Sequence, residues 1–380
     1  MFKRSFILVL LFSLVFVASL QAQFKVLHSF SNNESPYDGP LLKGSWLYGT
    51  TRWGGAFNYG TIYKVRTTGT GYMVLHDFAG GATDGREVFG ALVSGGSTSP
   101  WLYGVTVYGG TSNQGVIYKI QTNGSGFQVI HSFTSGLTDG RNPNSALVRV
   151  GSVLYGMTPS AGAHSYGVIF KIQTDGTGYQ VLHHFAGGAT EGGTPMGSLK
   201  AAGSWLYGTT FGGGANGDGT VFKVQTNGTG FQVLYSFGAT GTDGVQPEGT
   251  LILINSILYG MALNGGASAA GTIFKVRTDG TGYATLHSFT GINGGAAPYG
   301  ALKAKGSFFY GLTCAGGNGP GVLFKINING TQFRLLHNFL GNSTDGSQPF
   351  GTLAASATAL YGVTSKGGAS NYGTVFSYKI

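Results

Sequence analysis

Three short signals, each recurring seven times along 380 residues, predict an all-β protein: a seven-bladed β-propeller of four-stranded blades, closed by pairing of the N-terminal strand with the C-terminal blade. The first is Leu/Phe-Tyr-Gly, centred on Tyr48, Tyr103, Tyr155, Tyr207, Tyr259, Tyr310 and Tyr361 at intervals of 55, 52, 52, 52, 51 and 51 residues. The second is a run such as GTIYK, at 60–64, 115–119, 167–171, 219–223, 271–275, 321–325 and, in degenerate form, 373–377. The third reads like VLHSF, at 26–30, 74–78, 129–133, 181–185, 233–237, 285–289 and 335–339. Self-similarity at this period marks a propeller blade or a solenoid.

Alternation of apolar and polar residues gives four strands in the second unit, at 90–94, 101–107, 115–121 and 127–133. Four strands per unit is the blade pattern. Asn-Gly and Asp-Gly pairs between the third and fourth strands suit hairpin turns that need positive φ, so those strands are expected to be antiparallel neighbours. The chain starts after its leader with a fourth-strand signal, FKVLHSF at 24–30, and stops after a third-strand signal at 373–380. Joined, the two ends complete the seventh blade and leave no open sheet edge; a solenoid would instead need atypical caps.

Composition agrees. Glycine contributes 70 of 380 residues, about 18 per cent against a usual 7 per cent or so, which excludes a helix-rich protein. Hydrophobic residues make up 42 % and charged ones only 9 %, too apolar for a disordered chain. Glycine never falls every third residue, so collagen is excluded. A single cysteine, Cys314, excludes a disulfide framework and is expected to act as a small apolar filler.

Residues 1–22 are read as an export signal: Lys3 and Arg4, an apolar run over 6–17, then small and polar residues with cleavage expected after Ala22. Residues 23–380 then form one domain, secreted to the extracellular space or periplasm, with no transmembrane segment. Without Lys3 and Arg4 the net charge falls from +9 to 20 − 13 = +7. This excess is spread out rather than clustered, so no nucleic-acid partner is expected.

Residues that recur seven times build the blade. The repeated Tyr is expected to pack between blades with its hydroxyl on a neighbour, its Gly to let the next sheet approach, and the Lys ending the third strand to be a solvated edge charge. His28, His76, His131, His183, His287 and His337, with Tyr235 in the remaining unit, are expected to be structural, because one His per blade cannot chelate a metal. Asp38, Asp84, Asp139, Glu191, Asp243 and Asp345 are placed at one repeat position, with Asn293 in the other unit, inside a DGxxPxG pattern. One reading is an Asx turn that orders the link between blades. The other is a ring of carboxylates at the channel mouth, binding a cation or a polyhydroxylated ligand, with calcium the metal considered and no other cofactor expected.

Strand parity brings the links and the loops between second and third strands to one face. Those loops vary on a fixed frame, as a recognition surface does. The ligand-binding candidates are Arg52, Trp53, Tyr108 and Phe211 from the loops and Asp84, Asp139, Asp243 and Asp345 from the links. His164 is the one general-base candidate, unaccompanied by a Ser-His-Asp order or a paired-carboxylate spacing.

The unit LYGTT, GG, GTIYKV, GTGY, VLHSF, as written over 47–78, resembles the GloVer tandem repeat of bacterial exported proteins, and the resemblance spans about residues 24–380. It implies a secreted or surface propeller and transfers no catalytic residue. Many members of that family end in a sorting or anchoring segment; this chain stops inside its closing strand, which favours a freely secreted protein, and a monomer is expected. The function expected is non-catalytic binding of a glycan or an extracellular protein; the alternatives are a polysaccharide-acting hydrolase or lyase on the same face, or a structural surface protein.

Overall fold

The structure, a computed structural model, describes residues 23–380; the export signal expected over 1–22 lies outside them. Seven four-stranded antiparallel sheets form a seven-bladed propeller. In the first blade the strands run Leu41–Lys43, Trp46–Thr51, Thr61–Arg66 and Met73–Asp77, from the channel outward. The other blades repeat this order. The seventh is built from Gly346–Ala355, Ala359–Gly367, Thr374–Lys379 and, on its outer edge, Phe24–Ser29.

Closure follows the sequence expectation. Phe24 lies opposite Tyr378, Val26 opposite Phe376 and Ser29 opposite Thr374. Phe30 N–H donates to Gly373 O at 2.9 Å and the Tyr378 hydroxyl donates to Gln23 Oε1 at 2.7 Å. No blade is therefore left with an unpaired inner seam, the arrangement that best protects sheet edges.

Apolar residues from facing sheets make seven separate cores, one at each blade interface, because each sheet is covered on both sides. Tyr48, Tyr103, Tyr155 and Tyr207 hydrogen-bond to Thr122, Thr174, Thr226 and Thr278 of the following blade, as their type suggests. Two expectations are corrected. The Gly after each Tyr serves its own sheet: a Cβ on Gly49 would overlap the ring of Tyr63, its cross-strand partner, and Gly104 meets Tyr118 in the same way. The third-strand Lys is not a free edge charge. Lys64 and Lys223 donate to the Thr122 and Thr278 carbonyls at 3.1 Å while lying 4.9 and 5.0 Å from the Trp46 and Trp205 rings, so the cation is held over an aromatic face.

Candidate functional site

The acidic links and the outer-strand His form one blade-locking network. His76 Nε2 lies 3.1 Å from Asp84 Oδ1, His131 3.4 Å from Asp139 Oδ1, and His337 3.0 Å from Asp345 Oδ2; His183 meets Glu191 likewise. The other carboxylate oxygen accepts the backbone N–H just past the outer strand, as Asp84 does from Ala79 and Asp139 from Thr134. In the blade that carries Tyr235, its hydroxyl donates to Asp243 at 2.7 Å, and Tyr283 of the next blade donates to the same carboxylate.

Every ring at the His position also stacks on an aromatic of the neighbouring blade. His28 faces Tyr72, His76 Phe127, His131 Tyr179, His183 Phe231, Tyr235 Tyr283, His287 Phe333 and His337 Phe24, with centroids 3.6 to 3.9 Å apart. Phe24 supplies the seventh of these contacts, so the N-terminal strand closes the stacking as well as the sheet. These residues are blade cement, and Asp84, Asp139, Asp243 and Asp345 are buried within it rather than gathered at the channel.

Two of the six His lie outside the acid pairing. Burial pushes His28 and His287 down to about 4, and His287 Nε2 is buried without a hydrogen-bond partner. An unfolded imidazole takes its proton near pH 6.5, whereas these two resist it until about 4. Folding is thus progressively disfavoured as pH falls through that window. We expect His287→Phe, which keeps the stack, to reduce the drop in melting temperature between pH 6.5 and 4 while changing the pH 8 value little; an unchanged drop in a thermal melt series would contradict this.

Asp38 does not share the repeat position given to it above. Glu34 does: it is buried, accepts the Ser31 N–H at 3.3 Å and the Tyr72 hydroxyl at 3.0 Å, and so matches Asp139, which takes Thr134 N and Tyr179. The link into the first blade is shorter than its counterparts, and its Asp-Gly pair falls where the others have the PxG glycine.

That shift places Asp38 at the channel mouth. Each link is stitched to the loops on both sides: Glu87 N–H donates to Tyr59 O at 2.8 Å, and Glu87 O accepts Val107 N–H at 2.9 Å. Glu87, Asn142, Thr194, Gln246, Ala297 and Gln348, all at this position, hold φ between 51 and 59°. Six non-glycine residues in the left-handed region mean that the surrounding bonds impose the conformation. The link also pairs as a short ribbon with its blade's loop, Gly85–Arg86 with Tyr108–Gly109 for example. The face expected from strand parity is therefore pre-organised.

Beyond each ribbon the links turn inward and meet. Glycines close the ring because a Cβ on Gly249 or Gly300 would run into the carbonyl of the next link. Above that ring sits one residue per blade: Tyr37, Phe89, Asn144, Met196, Glu248, Tyr299 and Phe350, all but Phe350 lining a cavity of about 60 Å³. Here sevenfold equivalence breaks. Phe89, Tyr37, Phe350 and Tyr299, on adjacent blades, form an aromatic arc with successive centroids 5.2, 5.1 and 5.2 Å apart. Asn144, Met196 and Glu248 complete the circle.

Of the loop candidates, Arg52 reaches this arc. Its guanidinium lies 4.7 Å from the Phe89 centroid, 5.5 Å from Tyr37 and 5.0 Å from Trp53, and pairs with Glu87 at 3.1 Å. Tyr108 lies farther out along its ribbon, 4.9 Å from Arg86, and Phe211 bonds through its N–H to Thr194 O. His164 is exposed, and among the described residues no ion pair joins it to an acid. Cys314 donates to Ala297 O, and burial pushes its thiol up to about 11, which leaves it unreactive near neutrality. Among the described residues no helix is long and apolar enough to cross a membrane.

The architecture defines a closed seven-bladed propeller whose repeated residues lock blades together and whose channel mouth departs from sevenfold equivalence. Comparison with known proteins gives this class a family. The chain belongs to the Gloeobacter/Verrucomicrobia repeat family, whose profile matches residues 13–167 and 150–376. No curated protein sequence matches it. Among solved structures it is similar to an oligogalacturonate lyase in complex with manganese, at 11 % identity and TM-score 0.58, covering 94 % of this chain and 93 % of that one. It is also similar to a puromycin hydrolase, at 11 % identity and TM-score 0.58, covering 89 % of this chain and 52 % of that one. A puromycin-hydrolyzing peptidase of Mycobacterium tuberculosis aligns at 11 % identity and TM-score 0.55, over 87 % and 49 %. At such identities these likenesses establish the fold.

Proposed function

We propose that the protein is an exported, non-catalytic binding propeller that takes a glycan at the channel mouth. The aromatic arc of Phe89, Tyr37, Phe350 and Tyr299 supports this reading: half-buried ring faces beside an amide and carboxyls suit the apolar faces and hydroxyls of a sugar. Six of the ten exposed large apolar side chains among the described residues, Phe57, Leu137, Tyr166, Ile292, Leu340 and Tyr372, come from links and loops on the same face, which fits a broader docking surface around that centre.

The second reading is a polysaccharide hydrolase or lyase. It is favoured by one observation, that burial raises Asp38 to about 6 and raises Glu248 as well, and both line one cavity. A glycan array followed by titration separates the readings. Phe350→Ala and Tyr37→Ala are each expected to weaken binding roughly tenfold, the loss of one stacking contact of about 1.4 kcal/mol, while Tyr108→Ala leaves it unchanged. Release of new chain ends from the bound polysaccharide, abolished by Asp38→Asn, would overturn the non-catalytic reading.

A further inference from the structure

The backbone donors around the mouth cavity are spent, one on each oxygen of Asp38 among them, while three other side-chain oxygens are not. Asp38 takes the N–H groups of Gly39 and Ala91 at 2.6 and 2.8 Å. The next residues along the links bond to one another: Ala146 N–H donates to Ser198 Oγ at 2.9 Å, Ser198 N–H to Thr250 Oγ1 at 3.3 Å and Ala301 N–H to Thr352 Oγ1 at 3.3 Å. Against these stand three buried oxygens without a partner: Glu248 Oε2, Asn144 Oδ1 and Ser145 Oγ. Glu248 is 9 % exposed and Ser145 5 %, so neither reaches bulk water. Tyr299 bonds to Glu248, leaving the second oxygen of that carboxylate for the cavity. Among the described residues no Lys, Arg or His lines the cavity.

Buried acceptors need a donor or a cation, and unpaired buried carboxylates are costly. The residues concerned come from the first, third and fifth blades and so approach from three sides. Ser145 and Asp38 are also the two side chains in a ring otherwise made of glycine.

We propose that the channel mouth binds one hard divalent cation, calcium in preference to magnesium, through Asp38, Glu248, Asn144 Oδ1 and Ser145 Oγ. Among the described residues no three His, Cys, Asp or Glu side chains gather, so a zinc-type nitrogen and sulfur centre is not formed there. An all-oxygen set with irregular approach directions and water completing the shell matches calcium, whereas magnesium demands near-octahedral order. With only two carboxylates the affinity belongs in the range of extracellular calcium modules, a Kd of about 0.1–1 mM. The site uses the amide and carboxyls beside the aromatic arc and so shares the mouth with the glycan reading; calcium is therefore titrated without glycan, and either can fail alone.

Calorimetric titration of calcium chloride into the purified protein at pH 7.5, with magnesium chloride as the parallel arm, tests it. One calcium per chain is expected, with affinity at least tenfold lower in Glu248→Gln and clearly lower in Ser145→Ala, both variants keeping the unliganded melting temperature within a few degrees. A melt of each variant in chelator shows that it is folded before it is titrated. No calcium heat up to 10 mM, or calcium affinity unaltered in both folded variants, would overturn the proposal; so would binding of magnesium with equal affinity.

Discussion

A chain lacking residues 24–30 is expected to lose its cooperative melt or to melt far below the full protein. Those residues supply the outer strand of the seventh blade, bury Leu27 and Phe30, and stack Phe24 on His337. Burying three large apolar side chains contributes roughly 4.5–9 kcal/mol at about 1.5–3 kcal/mol each. That is comparable to the whole stability of a typical domain, about 5–15 kcal/mol. The third strand would also be left as a bare edge, a template for aggregation. A synthetic peptide of sequence QFKVLHSF, added in excess, should restore much of the lost melting temperature, because it needs only to occupy a formed groove. Circular dichroism melts with and without the peptide read the effect. A truncated chain that melts like the full one would show that the seventh blade does not depend on this strand.

Asp139→Ala is expected to be the most damaging single substitution, at about 3–5 kcal/mol, the usual cost of removing one partner of a buried ion pair. Its carboxylate accepts the Tyr179 hydroxyl at 2.6 Å, both the N–H and the hydroxyl of Thr134 at 2.9 and 3.0 Å, and the Gly140 N–H at 2.8 Å, with His131 beside it. Truncation strands these donors across a blade boundary at once. Burial alone would raise this carboxyl, but the bonds from His131, Tyr179 and Thr134 outweigh it and hold it below the ordinary value. Its contribution is therefore full above about pH 4, where an unfolded Asp is ionised, and is lost as pH falls through the lowered native value. The gap between the native protein and Asp139→Ala in denaturant melts should be constant from pH 5 to 8 and should narrow below 4. A gap below 1 kcal/mol at pH 7 would show that the His and acid network does not lock the blades.

The frame was legible because its signals repeat. Seven copies of LYG and of the His strand reveal the blade count, and the split unit at the two ends shows how the ring closes. Convergence of links and loops on one face follows from strand parity alone. The acid position departs from its sequence assignment in two units: the Asp-Gly pair at 38–39 imitates the repeat motif, whereas the register is set by Ser35-Pro36 against Glu87-Val88 and Gln246-Pro247, and Gly294 rather than Asn293 is the counterpart of Asp84. In that register Asp38 falls on the PxG glycine, and Glu34 takes the place of Asp84 because the first link is two residues shorter before Ser35.

The mouth residues are not legible from repetition. Tyr37, Phe89, Asn144, Met196, Glu248, Tyr299 and Phe350 share a position but no chemistry, so they give no repeat signal. The glycines next to them look like ordinary turn residues until the links are seen touching across the axis. What could have exposed the site is a column of dissimilar residues inside an otherwise uniform PxG motif, together with two departures from glycine in it, Asp38 and Ser145.

Closure of the wheel by its own N-terminal strand is the claim on which the mouth, the acid network and the binding face all depend. Lys25 and Ser377 are direct cross-strand partners, and replacing both with Cys in a Cys314→Ala background tests it. Under mild oxidation the monomer should form an intramolecular disulfide in high yield and melt at a higher temperature, with the linked peptides around 25 and 377 recovered by mass spectrometry. Free thiols, or disulfides found only between molecules, would contradict the closed ring.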